Sequence, residues 1–195
     1  SKACAELVVS SFRHSFFNPL AVAAHGKAVA SARAGNVIGG GDWSSDRIIP
    51  DIVRSLAAGV AIEVRNPASV RPWQHVLESI AGYLRLGGLL AEQPAIYGRA
   101  YNFGPRPEGH LTVKELVEEA IALWGCGAWK DISSAGAPHE AGLLKLDISR
   151  AGRELGWTPK LDARTAIQWT LEWYRQPRDQ QGNFTFQQIN TYLSL

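Results

Sequence analysis

Two kinds of run are missing from this 195-residue chain. No stretch of about eighteen apolar residues occurs, so nothing reads as a membrane-crossing helix. No Lys/Arg-rich run occurs either, which argues against a nucleic-acid partner. Net charge is only +2. Charged residues make up 19% and apolar residues 46%, a globular rather than a disordered balance. Cys4 and Cys126 are the only cysteines, and neither sits at local metal spacing. A disulfide framework and a zinc site are therefore not expected. No G-x-G-x-x-G or G-x-x-G-x-x-G follows a strand-like run, so the usual dinucleotide phosphate turn is missing. No signal-peptide pattern is present, and a soluble cytoplasmic protein without a membrane partner is the expectation.

What is present is a chain long enough for one sizeable domain or one and a fraction. Residues 3–17 carry Ala5, Val8, Val9, Phe12 and Phe16 at helical spacing, and Asn18-Pro19 ends that helix. Residues 27–34 read as a buried strand. Helix signals resume at Asp46, where Ile48, Ile49, Ile52, Val53 and Leu56 share a face, and Gly59 closes the segment. Ala61 to Val64 reads as a short strand. A helix is expected over 75–91 with Val76, Ile80, Tyr83, Leu84 and Leu90 inward, then a strand from Ala100 to Phe103. Thr112 to Glu115 is a capping box that opens a helix ending at Gly125. A short helix is read over 147–156, another is capped by Asp162, and a last one is expected within Phe184 to Leu195. Gly125 to Pro138 is the nearest thing to a linker.

The most informative stretch runs from Arg33 through Ala34, Gly35, Asn36, Val37 and Ile38 to Gly39-Gly40-Gly41-Asp42-Trp43. It leaves a strand end, where ligands sit in open α/β sheets, through glycines that permit close backbone approach. A flexible loop is the plain alternative. Further clusters follow at Arg65-Asn66-Pro67, Arg71-Pro72-Trp73-Gln74-His75, Tyr101-Asn102-Phe103-Gly104-Pro105 and Pro138-His139-Glu140-Ala141-Gly142. Arg33, Arg47, Arg65 and Arg71 could each meet a polyphosphate. Arg71 is the strongest single candidate, because its fork can grip diphosphate oxygens while Pro72 and Trp73 restrict its loop. The alternative is a surface arginine over a tryptophan. Asn36 offers both donor and acceptor at the strand end, and also suits a turn. His75 reads as a cap or packing residue. No metal site is expected, since His139 and Glu140 have no further ligands at metal spacing.

Those clusters, with the words SFFNP, DRIIPD, RNPASVRPWQHVLE, YNFGP, HEAGLLKLD and LGWTP, carry a resemblance over nearly the whole chain. The chain resembles nucleotide-sugar enzymes of the extended short-chain dehydrogenase/reductase superfamily, and among them the CDP-glucose 4,6-dehydratases. RAGNVIGGGDW and RPWQHVLE are specific to the dehydratases, whereas YNFGP and LGWTP are shared with epimerases. The resemblance implies an α/β fold. It would be the C-terminal part of a Rossmann-like doubly wound parallel sheet plus a small, mostly helical substrate-binding lobe. Residues 1–45 would be the tail of the NAD-binding part. Residues 46–195 would be mainly the nucleotide-sugar lobe, with about 75–103 returning to the sheet.

By the same resemblance Lys2 is the lysine of a Tyr-x-x-x-Lys motif whose tyrosine lies before Ser1. It would bind the nicotinamide ribose of NAD and lower the pKa of that tyrosine. Ala34, Gly35 and Val37 would line the cofactor, leaving room for a flat ring. Asn36, Arg47, Ile48, Ile49, Arg71 and Asn102 would contact a CDP-sugar, with His139 or Glu140 at the nucleotide ribose. The complete enzyme would be a homo-oligomer. Two readings remain open: the C-terminal part of an NAD-dependent dehydratase, or a sugar-nucleotide-binding fragment without turnover, an epimerase being the enzymatic runner-up. A strand at 27–34 without its parallel neighbours would have a bare edge, which calls for a partner.

Overall fold

A computed structural model describes residues 2–134 and 142–195. In chain order its elements are α1 (Lys2–Phe16), α2 (Val22–His25), β1 (Ser31–Ala34), β2 (Asn36–Ile38), α3 (Ile48–Ala58), β3 (Ile62–Val64), β4 (Val70–Arg71), β5 (Trp73–His75), α4 (Val76–Glu92), α5 (Pro94–Tyr97), β6 (Ala100–Phe103), β7 (Leu111–Thr112), α6 (Val113–Trp124), β8 (Trp129–Asp131), α7 (Ala163–Arg175) and α8 (Gln181–Ser194). A π-helical turn, Ala151–Leu155, precedes α7. The strands form pairs: β1 with β6, β2 with β5 and β3 with β8, all parallel, and β4 with β7 antiparallel.

Where local chemistry decides an element, the sequence-based expectation holds. Thr112 Oγ1 accepts from the Glu115 amide while Glu115 accepts from the Thr112 amide, so two N-terminal donors of α6 are satisfied. Leu116, Val117 and Ala120 then face inward. Asp162 caps α7 by accepting from the Thr165 amide at 2.7 Å.

Among the described residues, buried apolar side chains gather in two clusters. One joins Ile49, Ile52, Val53 and Leu56 of α3 to Ile62, Val64, Trp73, the inner face of α6, and Ala166, Ile167 and Leu171 of α7. The other joins Leu86 of α4 to Tyr101 and Phe103 of β6 and to Ala151, Leu155 and Trp157.

Several expectations are corrected. The strand read over 27–34 spans only Ser31–Ala34, beginning where the Ser31 amide donates to the Arg99 carbonyl just before β6. Gly125–Pro138 is not simply a linker, since Trp129–Asp131 pairs with β3. The loop after Gly35 contains β2, and β4 and β5 occupy a stretch read only as a cluster of site residues.

The inward face of α4 is also different. Leu84 is 72% exposed, and Ile80 and Tyr83 also face outward, while Glu78, Ser79, Gly82 and Leu86 are buried. Two contacts rotate the helix this way. A Cβ at Gly82 would stand 2.2 Å from the Phe103 ring, so helix and strand touch where a side chain cannot fit. Glu78, fully buried, accepts from the Lys160 and Leu161 amides at 2.7 and 2.6 Å and from the Tyr192 hydroxyl at 2.8 Å. A buried carboxylate with three donors is stable where an unpartnered one is not. It ties α4 to the loop before α7 and to α8. Replacing Glu78 with Ala strands all three donors and should cost about 3 kcal/mol or more, against about 1 kcal/mol for Tyr192→Phe, as urea denaturation would measure.

Candidate functional site

Of the expected site residues, Ala34, Gly35, Asn36, Val37, Arg71 and Asn102 fall on or beside β1, β2, β4 and β6. Parallel pairing sets Arg33 opposite Asn102 and Ala34 opposite Phe103. The chain then crosses to β2, where Asn36 stands opposite Trp73. Gly35 makes the crossing possible. Its amide donates to the Phe103 carbonyl at 3.2 Å, and the next amide, Asn36, donates to the Pro72 carbonyl at 2.9 Å. A Cβ at Gly35 would lie 2.5 Å from that Pro72 oxygen, closer than any side chain is accommodated. Gln74, 3% exposed, adds a third tie, donating from Nε2 to the Phe103 carbonyl at 2.8 Å. Its Oε1 has no partner among the described residues. Ala34, Gly35, Asn36, Arg71 and Asn102 are thus carried on strand ends stitched together by backbone bonds.

Arg71 is 7% exposed, and its Nη1 donates to the Val70 carbonyl at 2.9 Å. It is a buried arginine rather than a surface one over tryptophan. Val70, its neighbour, pairs with Thr112 on one side and with Leu143 on the other. Residues 142–144 therefore bring the chain toward Arg71 from the stretch that contains His139 and Glu140, which lies outside the described residues. Asn102 is tied into the fold at both ends of its amide: Oδ1 accepts from Arg33 Nη1 at 3.2 Å, and Nδ2 donates to the Asp147 carbonyl at 3.0 Å. Arg33 itself is paired with Glu6 of α1 at 2.7 Å, and this contact holds the Glu6 carboxyl below its ordinary range. Arg65 is likewise paired, with Asp46 at 2.7 Å. Pairing with Glu6 and Asp46 balances two of the four arginines considered for a polyphosphate.

Arg47 is exposed at the N-terminus of α3, Ile48 is half-buried beside it, and Ile49 is core at 3% exposure. Val37 is 43% exposed. Lys2 is exposed at the start of α1, one helical turn from Glu6. The side-chain position of Gly35 is taken by Pro72. The described residues provide no glycine-rich phosphate turn, and Lys2 stands on a different element from Ala34 and Val37. The glycine run also has another use than ligand approach. A Cβ on Gly40 would fall 2.0 Å from the Trp173 ring, and one on Gly39 2.8 Å from Val76. Tyr174 Oη donates to the Asp42 carbonyl, and Trp43 meets the Tyr174 ring edge-on at 5.0 Å. The loop is clamped to α7.

Sequence reasoning missed Glu6 and Gln74. Glu6 sits within a helix that looked merely amphipathic, and its acceptor role shows only when β1 is placed beneath it. Gln74 carried a weak signal, an amide between Trp73 and His75 in a strand. Among the described residues no group of three His, Cys, Asp or Glu side chains could hold a metal ion. No helix among them is long and apolar enough to cross a membrane. An open groove of about 500 Å³ lined by Trp43, Gln176, Arg178 and Gln181 includes none of the expected site residues.

The architecture matches solved nucleotide-sugar enzymes. The dTDP-glucose 4,6-dehydratase of Bacillus anthracis, solved with NAD, superposes with a TM-score of 0.71 at 19% identity, over 94% of this chain and 53% of that one. The dTDP-glucose 4,6-dehydratase of Streptomyces venezuelae, with NAD and TYD bound, gives 0.71 at 24% identity over 91% and 50%. No family model matches the chain. The fold is therefore that of the extended short-chain dehydrogenase/reductase enzymes acting on nucleotide sugars, over half their length. More particularly, the chain is a homologue of CDP-glucose 4,6-dehydratase. It is 47% identical over 175 residues to that enzyme from Salmonella typhimurium, covering 90% of this chain and 49% of the relative. A dTDP-glucose 4,6-dehydratase of Streptomyces antibioticus is 27% identical over 91% and 48%. The chain spans about half the length of the curated relatives it matches.

Two predictions follow from the geometry. Gly35→Ala should destabilise the protein by about 1–3 kcal/mol, because Pro72 must move. Gly87→Ala, in open space on α4, should stabilise by roughly 0.5–1 kcal/mol. Denaturation midpoints of the two variants would check this.

His75, 2% exposed, caps α4 by accepting from the Leu77 amide, and burial holds its imidazole down at about 4. The unfolded chain takes up a proton near pH 6.5, so this contribution is whole above that value. It is lost as pH falls toward 4, by up to about 3 kcal/mol. Urea midpoints at about pH 7.5 and about pH 5 should separate in the parent and converge in His75→Gln. An equal pH dependence in the variant would contradict it.

Proposed function

We propose that this chain is the nucleotide-sugar-binding half of an NAD-dependent dehydratase that converts CDP-glucose to CDP-4-keto-6-deoxyglucose and water. The observation that carries the reading is the stitched junction of β1, β2, β5 and β6, which presents Asn36, the buried Arg71 and Asn102 at neighbouring strand ends. The 47% identity to a CDP-glucose enzyme supports CDP-glucose over other nucleotide sugars. Arg71 and Asn36 would meet the diphosphate. Arg47, Ile48 and Ile49 would flank the nucleotide, with His139 or Glu140 at its ribose. Asn102 contributes chiefly by fixing Arg33 and the Asp147 turn. Residues 1–45 and about 75–103 would belong to the sheet, and most of 46–195 to the substrate lobe.

Lys2 would act in the redox step only when joined by a tyrosine and a phosphate-binding turn that the described residues do not supply. For the isolated chain we favour the binding reading without turnover, because no glycine-rich phosphate turn occurs in it. Denaturing this chain should release no nicotinamide cofactor, and the chain alone should not turn over CDP-glucose. Calorimetric titration should show CDP-glucose binding, preferred over dTDP-glucose. Arg71→Ala should weaken it by about 2–4 kcal/mol, because a buried phosphate charge loses its partner. Arg71→Lys should recover only part, lacking the planar fork. Equal affinity of parent and Arg71→Ala would remove Arg71 from the site.

A further inference from the structure

One groove carries chemistry that the strand ends do not use. It has a volume of about 500 Å³ and is lined by Trp43, Gln176, Arg178 and Gln181. That volume lies within the range of small-molecule sites. Trp43 is 55% exposed, yet its backbone is fixed from two sides. Tyr174 Oη donates to the Asp42 carbonyl. Arg54 donates from Nη1 to the Trp43 carbonyl at 3.2 Å and from Nη2 to the Ser44 carbonyl at 3.3 Å. The Tyr174 ring meets the indole edge-on and is itself packed edge-on with Trp173, whose ring sits where a Cβ of Gly40 would be. An indole held this firmly and left half in water offers a preformed stacking surface.

The other lining side chains are polar and differ in what they offer. Gln176 Nε2 donates to the Glu172 carbonyl at 3.0 Å, and Gln181 Nε2 to the Gln176 carbonyl at 3.4 Å, so both side-chain oxygens remain as acceptors. Arg178 is exposed and, unlike Arg33, Arg54 and Arg65, has no carboxylate partner among the described residues. The loop's own carboxylate, Asp42, is turned onto the Ser44 amide at 2.9 Å. A stacking surface, two acceptors and one guanidinium without a carboxylate fit a planar ring that carries N–H donors and a single phosphate. A neutral sugar would stack but leave Arg178 unused, and a diphosphate would call for more than one cation. We propose that this groove binds a nucleoside monophosphate. The base lies on Trp43, its amino group or the ribose hydroxyls donate to Gln176 and Gln181, and the phosphate meets Arg178. The groove shares no residue with the strand ends, and its occupancy does not rest on the function proposed above.

The test titrates the isotopically labelled chain with adenosine monophosphate and follows amide and indole N–H chemical shifts. Saturable changes should gather at residues 42–44 and 176–182. Adenosine, without the phosphate, and ribose phosphate, without the base, should each bind about tenfold more weakly or worse. Trp43→Ala should weaken adenosine monophosphate roughly tenfold or more through lost stacking, and Trp43→Phe should restore part of it. Arg178→Gln, at an exposed position, should keep the parent's melting temperature and bring the nucleotide down to the affinity of adenosine. The changes should persist in Arg71→Ala, which keeps this outcome separate from that of the strand-end site. No saturable change in the groove would overturn the proposal. So would equal affinity for adenosine and its monophosphate, or nucleotide binding indifferent to Trp43→Ala or to Arg178→Gln.

Discussion

Everything in the candidate site depends on one close approach, the passage of the Gly35 backbone against Pro72. The amides of Gly35 and Asn36 reach two different strands, β6 through Phe103 and the start of β5 through Pro72. A side chain at Gly35 would push these apart. Because the crossing is tight, Asn36, Arg71 and Asn102 are held by backbone bonds rather than by flexible loops. That is the arrangement a diphosphate requires, since fixed donors lose little entropy on binding. Gln74, closing on the same Phe103 carbonyl, makes the junction a three-way one.

From this junction the two buried clusters extend in different directions. One packs α3, α6 and α7 around Trp73, and the other packs α4 and the π-helical turn against β6. His75, the last residue of β5, touches both regions: it caps α4 and meets the Trp169 ring of α7 edge-on at 5.7 Å. Glu78, one turn further on, ties α4 to α8. The site is thus supported by buried polar groups that tie separate elements together, Gln74, His75 and Glu78. Arg33, half-buried and paired with Glu6, ties α1 to β1 in the same way.

The helices whose ends are set by neighbouring residues were legible in the sequence. Thr112 with Glu115 and Asp162 before α7 carry their own capping chemistry, and β6 was bounded correctly because Gly104-Pro105 stops it. The inward face of α4 was not legible. Apolar spacing pointed to Ile80 and Leu84, while the actual face is chosen by Gly82 against Phe103 and by Glu78 with donors over eighty positions away. The glycine run was read as a ligand cradle, and its real neighbour, Trp173, lies far along the chain. Strands β2, β4, β5 and β8, two or three residues each, are too short for periodicity to reveal. At the site, the placement of Asn36 and Asn102 on strands followed from the sequence, whereas the burial of Arg71 did not. The close approach of Pro72 to Gly35 was not legible, because it depends on a residue thirty-seven positions away. His139 and Glu140 fall outside the described residues.

The account stands on the claim that a nucleotide sugar binds at the stitched strand ends. Amide chemical-shift changes on titrating the isotopically labelled chain with CDP-glucose test that most directly. The largest changes should fall on residues 34–37, 70–74 and 102–104, around Asn36, Arg71 and Asn102. Changes confined to the groove at Trp43, Arg178 and Gln181, or none at the strand ends at saturating ligand, would contradict it.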